Sequence, residues 1–217
     1  MTQVAIDPIG QAGLTFFSRT MASVSHELKN ALAIIKENAG LIEDYLLMAE
    51  KGVPIDPEKF KLVSTRIGTQ TVRADGLIKN MNRFAHSTDH HSASIDLNEL
   101  AELFVALSQR ETAMRQAELS LTKETSPVLV TTSAFLLLTL LGRALTFCLE
   151  SVAAQDTISV KVMKSDRGGV IGFEQLHNLG ALKEKQFPGE QETLILNVMQ
   201  TAFSIDLAQG TILFTIE

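Results

Sequence analysis

Residues 21–45 read MASVSHELKNALAIIKENAGLIEDY, and their apolar side chains recur with alternating steps of three and four residues. This spacing predicts a long α-helix that carries one apolar stripe of the heptad kind. A second stripe with the same steps runs over residues 60–84. Between the stripes, Gly52 predicts the end of the first helix, and Asp56 followed by Pro57 predicts the start of the second. The sequence therefore predicts an antiparallel two-helix hairpin.

The length of this hairpin predicts how it assembles. Each helix has about 30 residues and is about 45 Å long, and a single hairpin cannot cover two apolar stripes of that length. We therefore predict a homodimer in which two hairpins form a four-helix bundle. One polar residue interrupts each stripe, Asn38 in the first and Gln70 in the second. Such residues often fix the register and the number of chains in a bundle.

Small polar residues at positions 85–94 predict a linker between two domains, residues 1–88 and residues 89–217. The second domain mixes predicted helices and strands. This order predicts an α+β fold in which helices layer on one face of a mixed sheet, as a two-layer sandwich. The predicted helices cover about residues 97–116, 133–152 and 192–202, and the predicted strands cover residues 118–122, 157–163 and 211–216, with a further strand that ends near Phe173.

The composition argues against several functions. The chain has 25 acidic and 19 basic residues and a formal net charge of −6, so nucleic acid is not expected as a partner. Arg143 and Glu150 interrupt the most apolar stretch, residues 135–152, and we expect no membrane-spanning segment. The single cysteine, Cys148, cannot form an intramolecular disulfide, and the cytoplasm is the expected location.

One histidine lies within the first stripe region but outside the stripe itself. With Met21 at heptad position a, His26 takes position f and points to solvent, and Asn30 lies one turn further on the same face. Near neutral pH a neutral imidazole offers one ring nitrogen as a nucleophile. A carboxylate that accepts a hydrogen bond from the other ring nitrogen fixes the tautomer and strengthens the nucleophile. We therefore predict that Glu27 supports the imidazole of His26, and that Asn30 orients a water molecule or a phosphoryl oxygen.

Three segments resemble one known family. Residues 25–32, SHELKNAL, resemble the H box of sensor histidine kinases and related phosphotransferases. Residues 95–100, IDLNEL, are similar to the segment that opens the ATP-binding domain of those kinases, and residues 210–214, GTILF, are similar to its closing strand. The resemblance implies that His26 carries a phosphoryl group in a dimeric helical hairpin.

The nucleotide-binding motifs of that family are altered in this chain. Residues 139–144 read TLLGRA and place Arg143 where the family has an asparagine that holds magnesium. An arginine side chain has no acceptor atom for a cation. Residues 174–178 read EQLHN in place of a tight glycine turn, and only Gly189 precedes the last predicted helix, without paired glycines that cradle phosphates. We therefore expect neither ATP hydrolysis nor autophosphorylation.

A phosphoacceptor hairpin joined to a degenerate ATPase-like domain resembles the histidine phosphotransferases of bacterial phosphorelays. That resemblance implies that His26 exchanges a phosphoryl group with aspartates of response regulator receiver domains, with Glu27 and Asn30 in the same site. No metal and no cofactor of its own is expected, because the receiver domain supplies the magnesium ion. Two alternatives remain open: a divergent sensor histidine kinase that still binds ATP, and a catalytically silent dimeric scaffold that regulates a kinase.

Overall fold

The computed structural model describes residues 7–151, 153–182 and 186–217. It has the predicted α+β fold, with two long helices first and a mixed sheet with helices after them. The helices are α1 (Pro8–Glu50), α2 (Pro57–His86), α3 (Leu97–Met114), α4 (Ala134–Cys148) and α5 (Glu190–Met199), with a short 3-10 helix at Leu179–Leu182. The strands are β1 (Ala93–Asp96), β2 (Glu118–Thr122), β3 (Leu129–Thr132), β4 (Thr157–Lys164), β5 (Gly169–Glu174), β6 (Ala202–Asp206) and β7 (Thr211–Ile216).

Both long helices begin at an Asp-Pro pair. Helix α2 starts where the sequence predicts, and Asp56 Oδ1 accepts a hydrogen bond of 2.9 Å from Glu58 N. In the same way, Asp7 Oδ1 accepts a hydrogen bond of 2.9 Å from Gly10 N at the start of α1. These carboxylates satisfy amide groups that a first helical turn leaves without partners. Because α1 already begins at Pro8, it has 43 residues and is longer than predicted.

The two apolar stripes form the less exposed faces of the long helices, and one chain covers them only in part. Every stripe residue from 21 to 45 and from 60 to 84 is buried or half-buried. The rings of Tyr45 and Phe60 pack edge to face near the turn, with centroids 5.5 Å apart. The burial confirms the heptad pattern, and the contact near the turn fits two antiparallel helices.

The contacts within the chain divide it into two compact units. One unit is the helical segment Met21–Asn82, and the other combines residues up to Thr20 with Arg83–Glu217. The helical segment carries the SHELKNAL motif, whereas the second unit carries the sheet. A domain boundary at residue 88 stays a prediction.

An aromatic cluster explains why the helix ends belong to the second unit. Phe84 is fully buried, and its ring centroid lies 5.6 Å from that of Phe16 and 5.3 Å from that of Phe17. The ring centroid of Phe135 in α4 lies 6.1 Å from that of Phe84. Gly142 of α4 makes room for this packing, because a Cβ atom there would lie 2.2 Å from Phe16 Cε2.

The main sheet has five strands in the order β2-β4-β5-β7-β6, and it is mixed as predicted. Strands β2 and β4 are parallel, while the other pairs are antiparallel, including the predicted hairpin of β4 and β5. Burial alternates along β2, β6 and β7, so one face of the sheet is covered more than the other. Helix α3 packs on this sheet, and the rings of Phe104 and Phe173 meet at 5.9 Å between the two layers.

Three sequence predictions differ from the structure. The helix predicted over residues 192–202 ends at Met199, because Gln200 adopts a left-handed backbone with φ of 51°, and β6 follows from Ala202. The helix predicted to reach residue 152 ends at Cys148, and Val152 lies outside the described residues. The predicted linker contains the start of β1, which pairs with β3 in a separate two-stranded sheet. Strands of four or five residues give too few repeats for a clear alternating pattern.

Candidate functional site

His26 lies on the exposed face of α1, one turn before Asn30. The side-chain nitrogen of Asn30, Nδ2, is 3.2 Å from Nδ1 of the imidazole. Both residues are exposed, because the buried stripe residues Val24 and Ala31 turn the opposite face of the helix inward. The structure therefore brings together two of the three predicted site residues.

The amide of Asn30 suits either tautomer of the imidazole. An asparagine side chain donates through its nitrogen and accepts through its oxygen, and a half-turn of the amide exchanges the two. When Nδ2 faces the ring, Nδ1 accepts and the ring proton lies on Nε2. When Oδ1 faces the ring, Nδ1 donates and Nε2 keeps a free lone pair for a nucleophilic attack.

The carboxylate of Glu27 has a different partner from the one predicted. Arg73 of α2 donates a hydrogen bond of 2.9 Å from Nη2 to Glu27 Oε2, in an ion pair that crosses the hairpin. The side chain of Glu27 is 22% exposed and that of Arg73 is 48% exposed. Neighbouring residues on a helix point about 100° apart, so Glu27 faces α2 while His26 faces solvent. The carboxylate therefore bonds Arg73 in place of the imidazole.

Arg73 contacts a residue of the candidate site, and the sequence analysis did not predict it. Glu27 lies 18 residues before Tyr45, whereas Arg73 lies 13 residues after Phe60, so the contact near the turn does not place Glu27 beside Arg73 by counting. The sequence gives no local signal for this pair, because the pairing depends on how the two helices pack.

In the second unit, Arg143 of α4 has a buried partner. Its Nε forms an ion pair with Oε1 of Glu192 in α5, and the side chains are 31% and 7% exposed, respectively. The other carboxylate oxygen of Glu192 accepts a hydrogen bond of 2.9 Å from Gly189 N. One carboxylate thus neutralises Arg143 and caps the start of α5.

The start of α5 carries two carboxylates. A helix N-terminus binds phosphate through its free amide groups and its positive dipole end. Here Glu192 bonds the Gly189 amide, and Glu190 adds a second negative charge to the first turn. A triphosphate would meet two carboxylates at this end of the helix.

Residues 174–178, which read EQLHN, contact the connection between β6 and β7 through Leu176. Leu176 is buried, and its backbone amide donates a hydrogen bond of 3.1 Å to Gly210 O. Gly210 has a φ of 64°, and a Cβ atom there would lie 2.6 Å from Leu176 O. The backbone of this segment therefore packs against protein, and His177 lies exposed in the loop that follows.

Other candidate groups have ordinary settings. His86 Nδ1 lies 2.8 Å from Asp89 Oδ2 in an exposed pair at the end of α2, and the described residues contain no group of three or more side chains suited to a metal ion. Burial raises the pKa of the Cys148 thiol, which keeps it protonated and unsuited to nucleophilic chemistry. Within the described ranges, no helix is long and apolar enough to cross a membrane.

No protein-family profile matches the chain, and no curated protein matches it. Solved structures that resemble it include histidine kinases and a phosphotransferase. The histidine kinase AdeS of Acinetobacter baumannii is 12% identical over 87% of this chain and 94% of its own, with a TM-score of 0.45. A bacterial phosphotransferase is 14% identical over 94% of this chain and 96% of its own, with a TM-score of 0.46. The histidine kinase ThkA, in complex with the response regulator protein TrrA, is 15% identical over 94% of this chain and 62% of its own, with a TM-score of 0.45.

Proposed function

We propose that this protein is a histidine phosphotransferase in a two-component phosphorelay. In this role His26 accepts a phosphoryl group from an aspartate of one receiver domain and passes it to another, and the protein uses no ATP of its own. The observation that carries the proposal is the exposed His26 imidazole with the Asn30 amide 3.2 Å from Nδ1. An exposed imidazole suits this role, because the nucleophile must reach the active site of a large protein partner.

The chemistry of the step needs little from the histidine side. The O–P bond of the aspartyl phosphate breaks and its electron pair returns to the carboxylate, while a new bond forms from Nε2 of His26 to phosphorus. During the attack, the Nδ1–H group of His26 donates a hydrogen bond to Oδ1 of Asn30. The receiver domain supplies the magnesium ion and most of the electrostatic stabilisation of a loose transition state, so position and a free lone pair suffice.

The receiver domain is the proposed partner, and a second copy of the chain is the proposed dimer partner. The hairpin leaves large apolar side chains in solvent, including Leu32, Leu62 and Val72, the last of which is 75% exposed. Apolar residues of this size on helix faces support burial in a four-helix bundle.

The region around Arg143 supports a function without ATP. Its guanidinium pairs with Glu192, whose carboxylate also caps α5, so the side chains satisfy one another. A divergent kinase would have to break this pair to place the phosphates there.

The test follows acid-labile label on the chain. The purified protein and His26→Gln are incubated separately with labelled ATP and magnesium and with a panel of labelled phospho-receiver domains. We expect label from at least one receiver, none from ATP, and a loss of at least about 100-fold in the variant, because the variant has no nucleophile. Label from ATP would support a kinase, and no label from any receiver would support a scaffold.

A further inference from the structure

The ion pair between Glu27 and Arg73 ties a cation of α2 to the residue that follows His26 on α1. Glu27 is the neighbour of His26 in sequence, and its carboxylate holds Arg73 Nη2 at 2.9 Å. A guanidinium has five N–H donors, and the bond to Glu27 uses one of them. The Arg73 side chain is 48% exposed, so its remaining donors have access to solvent and to groups that dock there.

The phosphoryl group on His26 would carry negative charge that a nearby cation can stabilise. Guanidinium groups bind phosphoryl oxygens with paired hydrogen bonds, in a geometry that lysine does not reproduce. The charged groups near His26 on α1 are Glu27 and Lys29. On α2, the residues after Arg73 include the exposed ion pair of Asp75 with Lys79, whose Oδ2 and Nζ atoms lie 2.8 Å apart. Of the basic residues on α2, Arg73 is the one joined to the SHELKNAL motif by an ion pair.

We infer that Arg73 binds the phosphoryl group on His26 and that Glu27 is the positioning residue that holds the guanidinium there. This inference rests on the proposed function. It assigns Glu27 a role through Arg73 in place of a direct bond to the imidazole, which Asn30 contacts. The exposed carboxylate of a free Glu27 would repel the phosphoryl group, whereas a paired carboxylate is neutralised by its arginine.

Phosphoramidate, a small phosphoryl donor, tests the site without a receiver domain. Its N–P bond breaks and ammonia leaves, a bond forms from Nε2 of His26 to phosphorus, and one ring proton passes to water. Wild type, Arg73→Gln, Arg73→Lys, Glu27→Gln and the double variant are phosphorylated in parallel. Arg66→Gln serves as the control, because it removes the same charge from an exposed position two turns away on α2.

We expect Arg73→Gln to slow phosphorylation about five-fold, as suits one charge-assisted contact at an exposed site, and Arg73→Lys to recover part of that loss. Glu27→Gln should slow the reaction in the wild-type background but have no further effect in Arg73→Gln. In nitrogen-15 spectra, the Arg73 side-chain signals should shift when His26 is phosphorylated, which a merely structural role would not cause. Arg66→Gln should match the wild type.

The outcomes separate the two proposals. If wild-type His26 takes phosphate neither from phosphoramidate nor from phospho-receivers, the proposed function fails and the inference fails with it. If His26 is phosphorylated and Arg73→Gln matches the wild type, the inference alone is wrong. Equal losses from Glu27→Gln with and without Arg73 would mean that Glu27 acts on the imidazole directly.

Discussion

The polar groups around His26 are exposed, whereas those where α4 meets α5 are largely buried. His26 and Asn30 bond each other on an open helix face. Arg143 and Glu192 close on each other, with the carboxylate 7% exposed and also bonded to a helix amide. Exposed polar groups can meet a partner even when they bond each other, whereas buried polar groups must find their partners within the fold. The difference fits the proposed function, in which the hairpin carries the chemistry.

The largest expected effect concerns the closed pair. Arg143→Met keeps most of the apolar stem but leaves the buried carboxylate of Glu192 without its cation, which we expect to lower the free energy of unfolding by about 2 kcal/mol. Denaturant unfolding followed by circular dichroism measures this, with Arg167→Met in the exposed β4–β5 turn as the control. The folded Arg143→Met protein should still accept phosphate at the wild-type rate. A loss no greater than in the control would mean that this pair contributes little to stability.

The hairpin shows how much of this contrast the sequence predicts. Asp56-Pro57 and the stripe positions contain their own local signals, namely a helix cap and a period, and both predictions are confirmed. The same local reasoning places His26 on an open face next to Asn30. These features depend on residues a few positions apart, where helix geometry alone fixes which side chains are neighbours.

The pairs that the sequence did not predict join distant residues. Arg73 meets Glu27 across the hairpin, 46 positions away, and Glu192 meets Arg143 across two helices, 49 positions away. Neither pairing follows from a period or a cap, because it depends on tertiary packing. The sequence predicts that Arg143 cannot bind a cation, because its side chain has no acceptor atom. It does not predict that Glu192 is the partner of Arg143.

A smaller effect is expected at Asn30. Asn30→Ala removes the group that contacts Nδ1 and should slow phosphorylation of His26 about five-fold, which corresponds to one neutral hydrogen bond of about 1 kcal/mol. Asn30→Asp should react at least as fast as the wild type, because a carboxylate only accepts and therefore favours the tautomer with its proton on Nδ1. Nitrogen-15 spectra of the imidazole measure the tautomer directly.

The exposed Asn82 of α2 provides the matched control for this pair of variants. Asn82→Ala should change neither the rate nor the tautomer. If Asn30→Ala and Asn30→Asp both slow the hydrolysis of phosphorylated His26 but leave its formation unchanged, then Asn30 serves to orient water and does not set the tautomer.

The smallest expected effect is the response to nucleotide. A ligand present at 100 times its dissociation constant stabilises a protein by about 2.7 kcal/mol, so millimolar ATP with magnesium would raise the melting temperature of any domain that binds it at micromolar levels by several degrees. We expect no measurable rise, because Glu192 already accepts the hydrogen bond of the Gly189 amide and the Leu176 amide already bonds Gly210 O in the segment that lacks a glycine turn. Arg143→Asn restores a side chain that can bind magnesium, but it frees neither of these two backbone amides. The melting temperature of this variant should therefore also not rise with ATP. A clear increase in the wild type would place a working nucleotide site in the second unit, and an increase in Arg143→Asn alone would assign the loss of binding to that single residue.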